Sequence, residues 1–316
     1  MITQRELFRK HSGAVGPARA RRSRPGYSLK IRHAREVSKI RRHSQHHPLY
    51  PDWVDPGVPE EAIPRISGSA MPGGVFMSTG NARSAGDLVL LGTGMSIATL
   101  GALGLVLTFA ISWVLQQVYG IPFAHVLLMF QTRVDPDVGP WVDVGLNLIM
   151  LFSFLVLMRI SPLSGYHAAE HKVIGAIEQF GEPKLEYAQM MPRAHRRCGS
   201  NLLAGVLPLL LLAEPLWRVS PLLSMAVVFF GWMFRFHLGY LIQAIFATKE
   251  PSARQMEAGL EAGKRILKRW REGAGERIPP LVVFWRRGLA QMFAGMLVAF
   301  WLFSQLYGQL HILLDF

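Results

Sequence analysis

Residues 88–118 read LVLLGTGMSIATLGALGLVLTFAISWVLQQV and contain no Asp, Glu, Lys or Arg. A helix needs only about 20 apolar residues to cross the hydrocarbon core of a bilayer. This run is therefore long enough for one tilted span, or for a span preceded by an interfacial turn. Gly101 and Gly104 lie within it and allow close packing against another helix.

Four further apolar runs follow, at residues 141–158, 201–217, 221–246 and 289–306. Together the five runs predict an all-α fold, a polytopic transmembrane helical bundle of about five spans. The third run contains Glu214, and the fourth carries Arg235 and His237 near its middle. Charged groups within spans usually have a partner or a function. Ion pairing inside the bundle, contact with a substrate and snorkelling of Arg235 to an interface all remain open.

The formal net charge of +13 comes largely from two basic stretches, residues 5–42 and 249–287. Such stretches bind anionic lipid headgroups and are enriched on the cytoplasmic side of membranes. The loop near Arg133 also contains Asp135 and Asp137, and we assign it to the other side. We therefore expect an integral protein of the bacterial inner membrane, with a cytoplasmic N-terminus and the C-terminus outside. An organellar membrane stays open, because the basic, acid-poor N-terminal segment also suits a transit peptide.

The composition divides the chain into four segments. Residues 1–86 are basic and then rich in Pro and Gly, which predicts a disordered or irregular cytoplasmic arm without a signal peptide. We expect residues 87–248 to form the transmembrane core, with a cytoplasmic His/Cys metal segment at residues 161–200. Residues 249–287 are expected to form an amphipathic cytoplasmic helix, and residues 288–316 a C-terminal transmembrane helix. Anionic headgroups are the expected partner of the arm, with a protein partner as an alternative. Nucleic acid is disfavoured because no aromatic residues interleave the basic ones, and the oligomeric state is open.

Residues 253–272 predict one amphipathic helix. Met256, Leu260, Leu267 and Trp270 recur at helical spacing, and basic side chains surround them. Such a helix is suited to lie on an anionic leaflet or to cover the neighbouring segment 161–200.

The segment YHAAEHK at residues 166–172 carries the clearest chemical signal. His167 and His171 lie four residues apart, so a helix presents both imidazoles on one face to one cation. Glu170 lies near that face as a further ligand or a general base. The order H-x-x-E-H is also found in a group of zinc peptidases. Lys172 is interpreted as an interfacial anchor, and a pair of surface histidines is the simpler alternative.

A second cluster, HRRCG at residues 195–199, supplies His195 and the only cysteine, Cys198. Zinc accepts imidazole and thiolate ligands, and a catalytic site keeps one of four positions open. His167, His171 and Cys198 would form such an open site with Glu170 as the catalytic base, whereas His195 as fourth ligand would close it into a structural site. Iron also accepts two histidines and a carboxylate, so the preference for zinc rests on the thiol. A buried, non-ligating cysteine is the alternative.

The segments YHAAEHKVI, HRRCGSN and FATKEPSARQMEAGLEA resemble those of the YqhQ-like family of polytopic bacterial membrane proteins. The family's recurring pieces are a Y-H-x-A-E-H-K helix, an R-C-G-[ST] turn and a T-K-E-P segment before an amphipathic helix. Here they fall on Tyr166, His167, Ala169, Glu170, His171 and Lys172, on Arg197, Cys198, Gly199 and Ser200, and on Thr248, Lys249, Glu250 and Pro251. The resemblance covers roughly residues 140–270 and implies a predicted metal-dependent enzyme of unknown function.

The chain also departs from the family. The glycine-rich segment G-G-Q-A-V-x-E-G-V-M is not found, and SGSAMPGGVFM stands at a comparable place. Arg235 lies where the resemblance implies an acidic residue, and the fifth span is an addition, so we expect a divergent member. The predicted function is a zinc hydrolase at the cytoplasmic membrane face, acting on a peptide or a lipid-linked substrate. The alternative is a non-catalytic membrane scaffold with a structural zinc site and a basic arm that binds a partner or lipid.

Overall fold

The computed structural model describes residues 64–127, 138–273 and 279–313. Its strands are β1 (Ser67–Met71) and β2 (Gly74–Ser78). The helices are α1 (Asp87–Tyr119), α2 (Phe123–Leu127), α3 (Gly139–Ile160), α4 (Leu163–Phe180), α5 (Leu185–Met190), α6 (Gly199–Leu211), α7 (Ala213–Val219), α8 (Pro221–Met233), α9 (Arg235–Ile242), α10 (Ala253–Glu272), α11 (Pro280–Arg286) and α12 (Leu289–Leu313). A π-helical turn, Gln243–Ala247, directly follows α9.

The apolar helices form a bundle whose outer surface is itself apolar. α1, α3 and α12 are long and apolar enough to cross a membrane, and two bent pairs, α6 with α7 and α8 with α9, raise the number to five if each pair is one span. Large apolar side chains on these helices are exposed, among them Leu222 at 78%. Exposed apolar surface of this extent marks contact with lipid or with another protein. The predicted all-α fold with about five candidate spans is confirmed.

Two contacts define the ends of the bundle. At one end of α3, Asp143 forms an ion pair with Arg218 of α7 at 2.5 Å. At the other end of α3, Arg159 donates to the carbonyl oxygen of Thr248, which follows the π-helical turn. The chain therefore runs from the Arg159 end to the Asp143 end through α6 and α7, and returns through α8 and α9.

The first and last apolar helices cross at glycines. A Cβ atom at Gly94 of α1 would overlap the backbone of Met292, and one at Gly295 of α12 would overlap the backbone of Leu91. Only glycine allows two helices to approach so closely. Of the two glycines predicted to pack closely, Gly104 contacts Phe154, whereas a Cβ atom at Gly101 would meet no atom within 4 Å.

The segment 64–86 folds, in contrast to the poorly packed arm predicted for it. β1 and β2 form an antiparallel hairpin in which Met71 pairs with Gly74. The turn between them has Pro72 at its first central position and Gly73 at its second, with φ of 82° at Gly73, as a type II turn requires. Residues 1–63 of the predicted arm, and the loop near Arg133, lie outside the described residues.

A compact core joins this hairpin to α4 and α10. Its buried side chains include Val75 and Met77 from β2, Ile177 from α4, and Met256 and Ile266 from α10. The predicted amphipathic helix is thus confirmed with the same bounds, and its apolar face covers α4. Leu260 and Trp270 of the predicted apolar stripe are half-buried.

Glu214 and Arg235 do not form the ion pair inside the bundle that was one of the open predictions. Glu214 forms an ion pair with Arg218, four residues further along the chain. Arg235 instead stacks on the rings of Trp232 and Phe236. Arg235 packs against α6 at the position of Gly205. Glu214 lies beyond the other end of α6, near Asp143.

Candidate metal centre

α4 carries the H-x-x-E-H residues and is buried on nearly all sides. His171 is 2% exposed and Glu170 is 5% exposed. α4 packs against the hairpin, α5 and α10. The contact between α4 and α10 requires small residues. A Cβ atom at Gly259 or Gly263 of α10 would contact Ala169 or Val173 of α4 at 3.3 Å or less. The alternative of two histidines on a polar surface helix does not describe this helix.

Each imidazole is oriented by a backbone carbonyl. Nδ1 of His167 lies 3.1 Å from the carbonyl oxygen of Ala247, and Nδ1 of His171 lies 2.5 Å from that of Arg193. A carbonyl oxygen only accepts, so Nδ1 is the donor in both rings. In the neutral rings this places the lone pair on Nε2, the arrangement found in metal-ligating histidines.

Cys198 brings its sulfur to these two Nε2 atoms. Sγ lies 3.3 Å from Nε2 of His167, and one donor atom from each of His167, His171 and Cys198 lies within 4.8 Å of the other two. Cys198 is also the residue that precedes α6, whose N-terminal amides favour negative charge. Ser200 donates a hydrogen bond to the same sulfur at 3.2 Å.

The donor set fits a zinc-sized cation. Nε2 of His171 is buried and has no hydrogen-bond partner among the described residues, although unpaired buried nitrogen is costly. Two ligands of one tetrahedral zinc ion lie about 3.5 Å apart, close to the observed separation of Sγ and Nε2 of His167. Two imidazoles and a thiolate are also the chemistry that zinc prefers.

The charges within the centre are coupled. Burial disfavours ionisation of Cys198, yet the His171 and His167 imidazoles hold the pKa of its thiol well below the usual range. Burial likewise opposes protonation of His167, but the adjacent Cys198 sulfur raises the pKa of His167 to about 9. Burial and the neighbouring His167 lower the pKa of His171 to about 4. The lowered pKa of Cys198 favours the thiolate, which is the form that binds a metal.

Glu170 lies beneath the hairpin with one free oxygen. Its Oε2 is buried without a hydrogen-bond partner in the described part of the chain. A Cβ atom at Gly68 of β1 would lie 2.5 Å from Oε1, so any larger residue at this position would have to displace the carboxyl group. Burial raises the pKa of Glu170 to about 7, against the opposing effect of His167. A carboxyl with such a pKa is suited to take up and release a proton near neutrality.

His195 lies beside the cluster, and both of its ring nitrogens have other partners. Its ring centroid is 5.6 Å from that of His171. Nε2 lies 3.3 Å from Oε2 of Glu178, and Nδ1 accepts from the backbone N–H of Arg197. The structure thus brings together His167, His171 and Cys198, and leaves His195 next to them. Arg197 forms an ion pair with Glu178.

A buried amide pair positions the turn before Cys198. Oε1 of Gln243 accepts from the backbone N–H of His195 at 2.7 Å, and its Nε2 donates to Oδ1 of Asn201 at 3.0 Å. Nδ2 of Asn201 donates to the carbonyl oxygen of Arg196 at 2.7 Å. The sequence interpretation missed both residues. The available signal was a polar residue, Gln243, at the end of an apolar run.

The T-K-E-P segment meets the same region. Nζ of Lys249 donates to Ser161 at the end of α3, and Glu250 forms an ion pair with Lys172 at 3.2 Å. Lys172 is 6% exposed, so the interpretation of this residue as an interfacial anchor is wrong. The three segments that carry the family resemblance therefore converge on one site.

Comparison with known proteins covers two of these three segments. Residues 91–237, which include all four candidate ligands and Glu170, match a family described as "Protein of unknown function (DUF1385)". The "Uncharacterized protein YqhQ" of Bacillus subtilis (strain 168) is 31% identical over 149 residues, covering 39% of this chain and 47% of that protein. The chain thus spans about half the length of this curated relative, and no solved structure matches it. Over this region the chain is similar to the YqhQ-like family, which its three motif segments also resemble.

Proposed function

We propose that this chain is an integral membrane protein with a zinc centre held by His167, His171 and Cys198, and that it is a hydrolase. The site would face the cytoplasm of a bacterial cell, on the side that carries most of the basic residues. The observation that carries the proposal is the unpartnered Nε2 of His171, beside the Cys198 sulfur and Nε2 of His167. Both rings are held at Nδ1, so neither needs to rotate to bind an ion.

The arrangement of His195 favours a catalytic site over a structural one. Its two nitrogens are engaged by Glu178 and by the backbone of Arg197, which leaves three protein ligands. Structural zinc sites have four protein ligands, whereas catalytic sites keep one position for water or substrate.

Zinc, when bound, would supply Lewis acidity toward a substrate oxygen and would make water more acidic. Glu170 would accept the proton at Oε2 and return it to the leaving group. Burial beneath Gly68 keeps bulk water away from this carboxyl group and holds its pKa near 7. Ser200 and the N-terminus of α6 stabilise the Cys198 thiolate during these transfers.

Zinc content and turnover, measured on the same preparations, test the proposal. We expect stoichiometric zinc by mass spectrometry in the wild-type protein and in Glu170→Gln, and its loss in His171→Ala. His195→Ala is the matched control and should keep zinc, because His195 is not one of the three ligands. Hydrolysis would be assayed on chromogenic carboxyl esters, phosphate esters and peptides in mixed micelles. Glu170→Gln should lower the rate by about 100-fold or more.

Two results would contradict parts of the proposal. Loss of zinc in His195→Ala would indicate a closed, four-ligand site and favour the membrane scaffold. An unchanged rate in Glu170→Gln would remove the catalytic role of this carboxyl group.

A further inference from the structure

β1 has one edge that pairs with β2 and one edge that faces away from it. In an antiparallel hairpin, residues that exchange hydrogen bonds with the partner strand alternate with residues whose N–H and C=O groups point outward. The turn closes on the hydrogen-bonded pair Met71 and Gly74, so Ser69 also bonds to β2, whereas Gly68 and Ala70 point outward. Of these four outward groups, only the C=O of Ala70 has a hydrogen-bond partner among the described residues, the Ser69 hydroxyl at 3.4 Å.

The rest of the hairpin is covered. One face packs in the core with α4 and α10, and the other face packs against α1 and α12. At the outer edge of β2, the backbone N–H of Met77 donates to the Ser84 hydroxyl, and the C=O of Met77 accepts from the backbone N–H of Ser84. The outer edge of β1 is left open, and Ser67 and Gly68 on it are exposed.

This open edge carries none of the usual protection. An exposed strand edge is a template for pairing with another chain, and proteins commonly protect it with charged side chains, proline or a β-bulge. β1 reads SGSAM, and its pairing with β2 is continuous, so it has none of these features. The edge is therefore suited to accept an extended chain.

The open edge lies on the side of the candidate metal centre. β2 packs against α10, and β1 packs against α4. On α4, Ala169 faces α10 and His171 faces the centre, and successive residues are turned by about 100°, so Glu170 lies between these two faces. Gly68 of β1 lies directly over Glu170. A strand added to β1 would lie about 4.8 Å beyond it, toward the ligand face of α4.

We propose that the substrate is a polypeptide, which binds in extended conformation as a third strand along the open edge of β1. This inference rests on the proposed hydrolase function and names its substrate class. The edge offers N–H and C=O groups at the spacing of a strand, and an extended peptide supplies the complementary groups at the same spacing. A lipid headgroup is a poorer occupant, because it has no such alternating series of donors and acceptors.

The added strand brings a peptide bond beside the catalytic carboxyl group. The backbone of the residue opposite Gly68 would lie next to Glu170. A water oxygen would bond to the carbonyl carbon of this peptide while its C–N bond breaks. Glu170 would carry one proton of the water to the amine nitrogen that leaves, so that the products are a carboxylic acid and an amine.

Hydrogen exchange in Glu170→Gln measures binding without turnover. The probe is a degenerate library of decapeptides, acetylated and amidated at their ends. We expect the amides of Gly68 and Ala70 to exchange at least about tenfold more slowly with the library present, because each gains a hydrogen bond. The amide of Ser69 already bonds to β2 and is the internal control, which should change less.

Cleavage of the same library by proline variants tests the edge in the active protein. Ala70→Pro removes an outward N–H and no hydrogen bond to β2, as proline on an edge strand can. We expect kcat/KM for peptide cleavage to fall at least about tenfold, through KM, with the zinc content of the wild type. Ala253→Pro is the matched control and should cleave like the wild type. Ala253 is the exposed first residue of α10, where proline fits a helix.

The inference is overturned if Gly68 and Ala70 gain no protection, or if Ala70→Pro cleaves peptides like the wild type. Hydrolysis of esters without cleavage of peptides would also overturn it, and would leave the proposed hydrolase in place. Absence of zinc, or of all hydrolysis, would instead contradict the proposed function. The exchange measurement leaves the hairpin sequence unchanged, so it decides the question even if Ala70→Pro does not fold.

Discussion

The geometry of the candidate centre depends on residues that are not ligands. His167 and His171 are oriented by carbonyl oxygens from the π-helical turn and from the segment before Cys198. Gln243 lies in that π-helical turn and also binds the backbone of His195, so it links the two segments. The ligands themselves could be predicted from the spacing of His, Glu and Cys. The carbonyls that orient them could not, because every residue has a carbonyl group and only the fold selects which one is used.

Gln243→Leu tests this positioning role. The substitution removes two hydrogen bonds and leaves the N–H of His195 and Oδ1 of Asn201 buried without this partner. We expect about 10- to 100-fold weaker zinc binding, as for other residues that orient ligands, measured by competition with a fluorescent chelator. We also expect a loss of about 2 kcal/mol of stability. Gln291→Leu, a buried glutamine on α12 that binds Asp87, should lose stability and bind zinc like the wild type. Equal zinc affinity in Gln243→Leu and Gln291→Leu would contradict the positioning role of Gln243.

Single elements differ in how well the sequence predicted them. α10 was found with its observed bounds because its apolar and basic residues alternate with a clear helical period, and Ser252 and Gln255 form a capping box at its start. The hairpin was missed because β1 is made of Ser, Gly and Ala, which carry little strand propensity, with a single Met at its end. Its strand conformation is stabilised by burial of Val75, Phe76 and Met77 of β2, a contact with sequence-distant helices.

The contact between α10 and α4 requires small residues. A Cβ atom at Gly263 would lie 2.8 Å from Val173 and 2.9 Å from Pro183, so Gly263→Ala must move one of them. Overpacking of this kind costs about 1–3 kcal/mol, which outweighs the gain in helix propensity of about 1 kcal/mol. We expect Gly263→Ala to lower the free energy of unfolding, measured by denaturant titration in detergent. Gly101→Ala in α1 has open space around its Cβ atom and should be neutral or stabilising. A higher free energy of unfolding in Gly263→Ala than in the wild type would show that α10 packs less tightly against α4 than the distances at Gly263 indicate.

At the scale of the whole molecule, one ion pair and one hydrogen bond show how the bent helix pairs lie along α3. Hydropathy predicted five apolar runs. It could not distinguish a bent helix pair that crosses the membrane from one that enters and leaves on the same side of it. Asp143 and Arg159 lie 16 residues apart on α3, which separates them by about 24 Å. α7 contacts the Asp143 end, and the end of the π-helical turn contacts the Arg159 end, so each bent pair extends across the bundle.

Accessibility of single cysteines tests this arrangement and the orientation together. With Cys198 replaced by serine, a new cysteine would be placed at Val138 before α3, at Val219 at the end of α7 or at Glu257 on α10. Val138 and Val219 are similarly exposed, at 49% and 42%. Because basic residues favour the cytoplasmic side, we expect an impermeant maleimide to label Val138→Cys and Val219→Cys in intact cells. Glu257→Cys should react only after permeabilisation. Labelling of Val219→Cys and Glu257→Cys from the same side of the membrane would mean that α6 and α7 re-enter rather than cross. Such an arrangement would still have to allow the ion pair between Arg218 and Asp143.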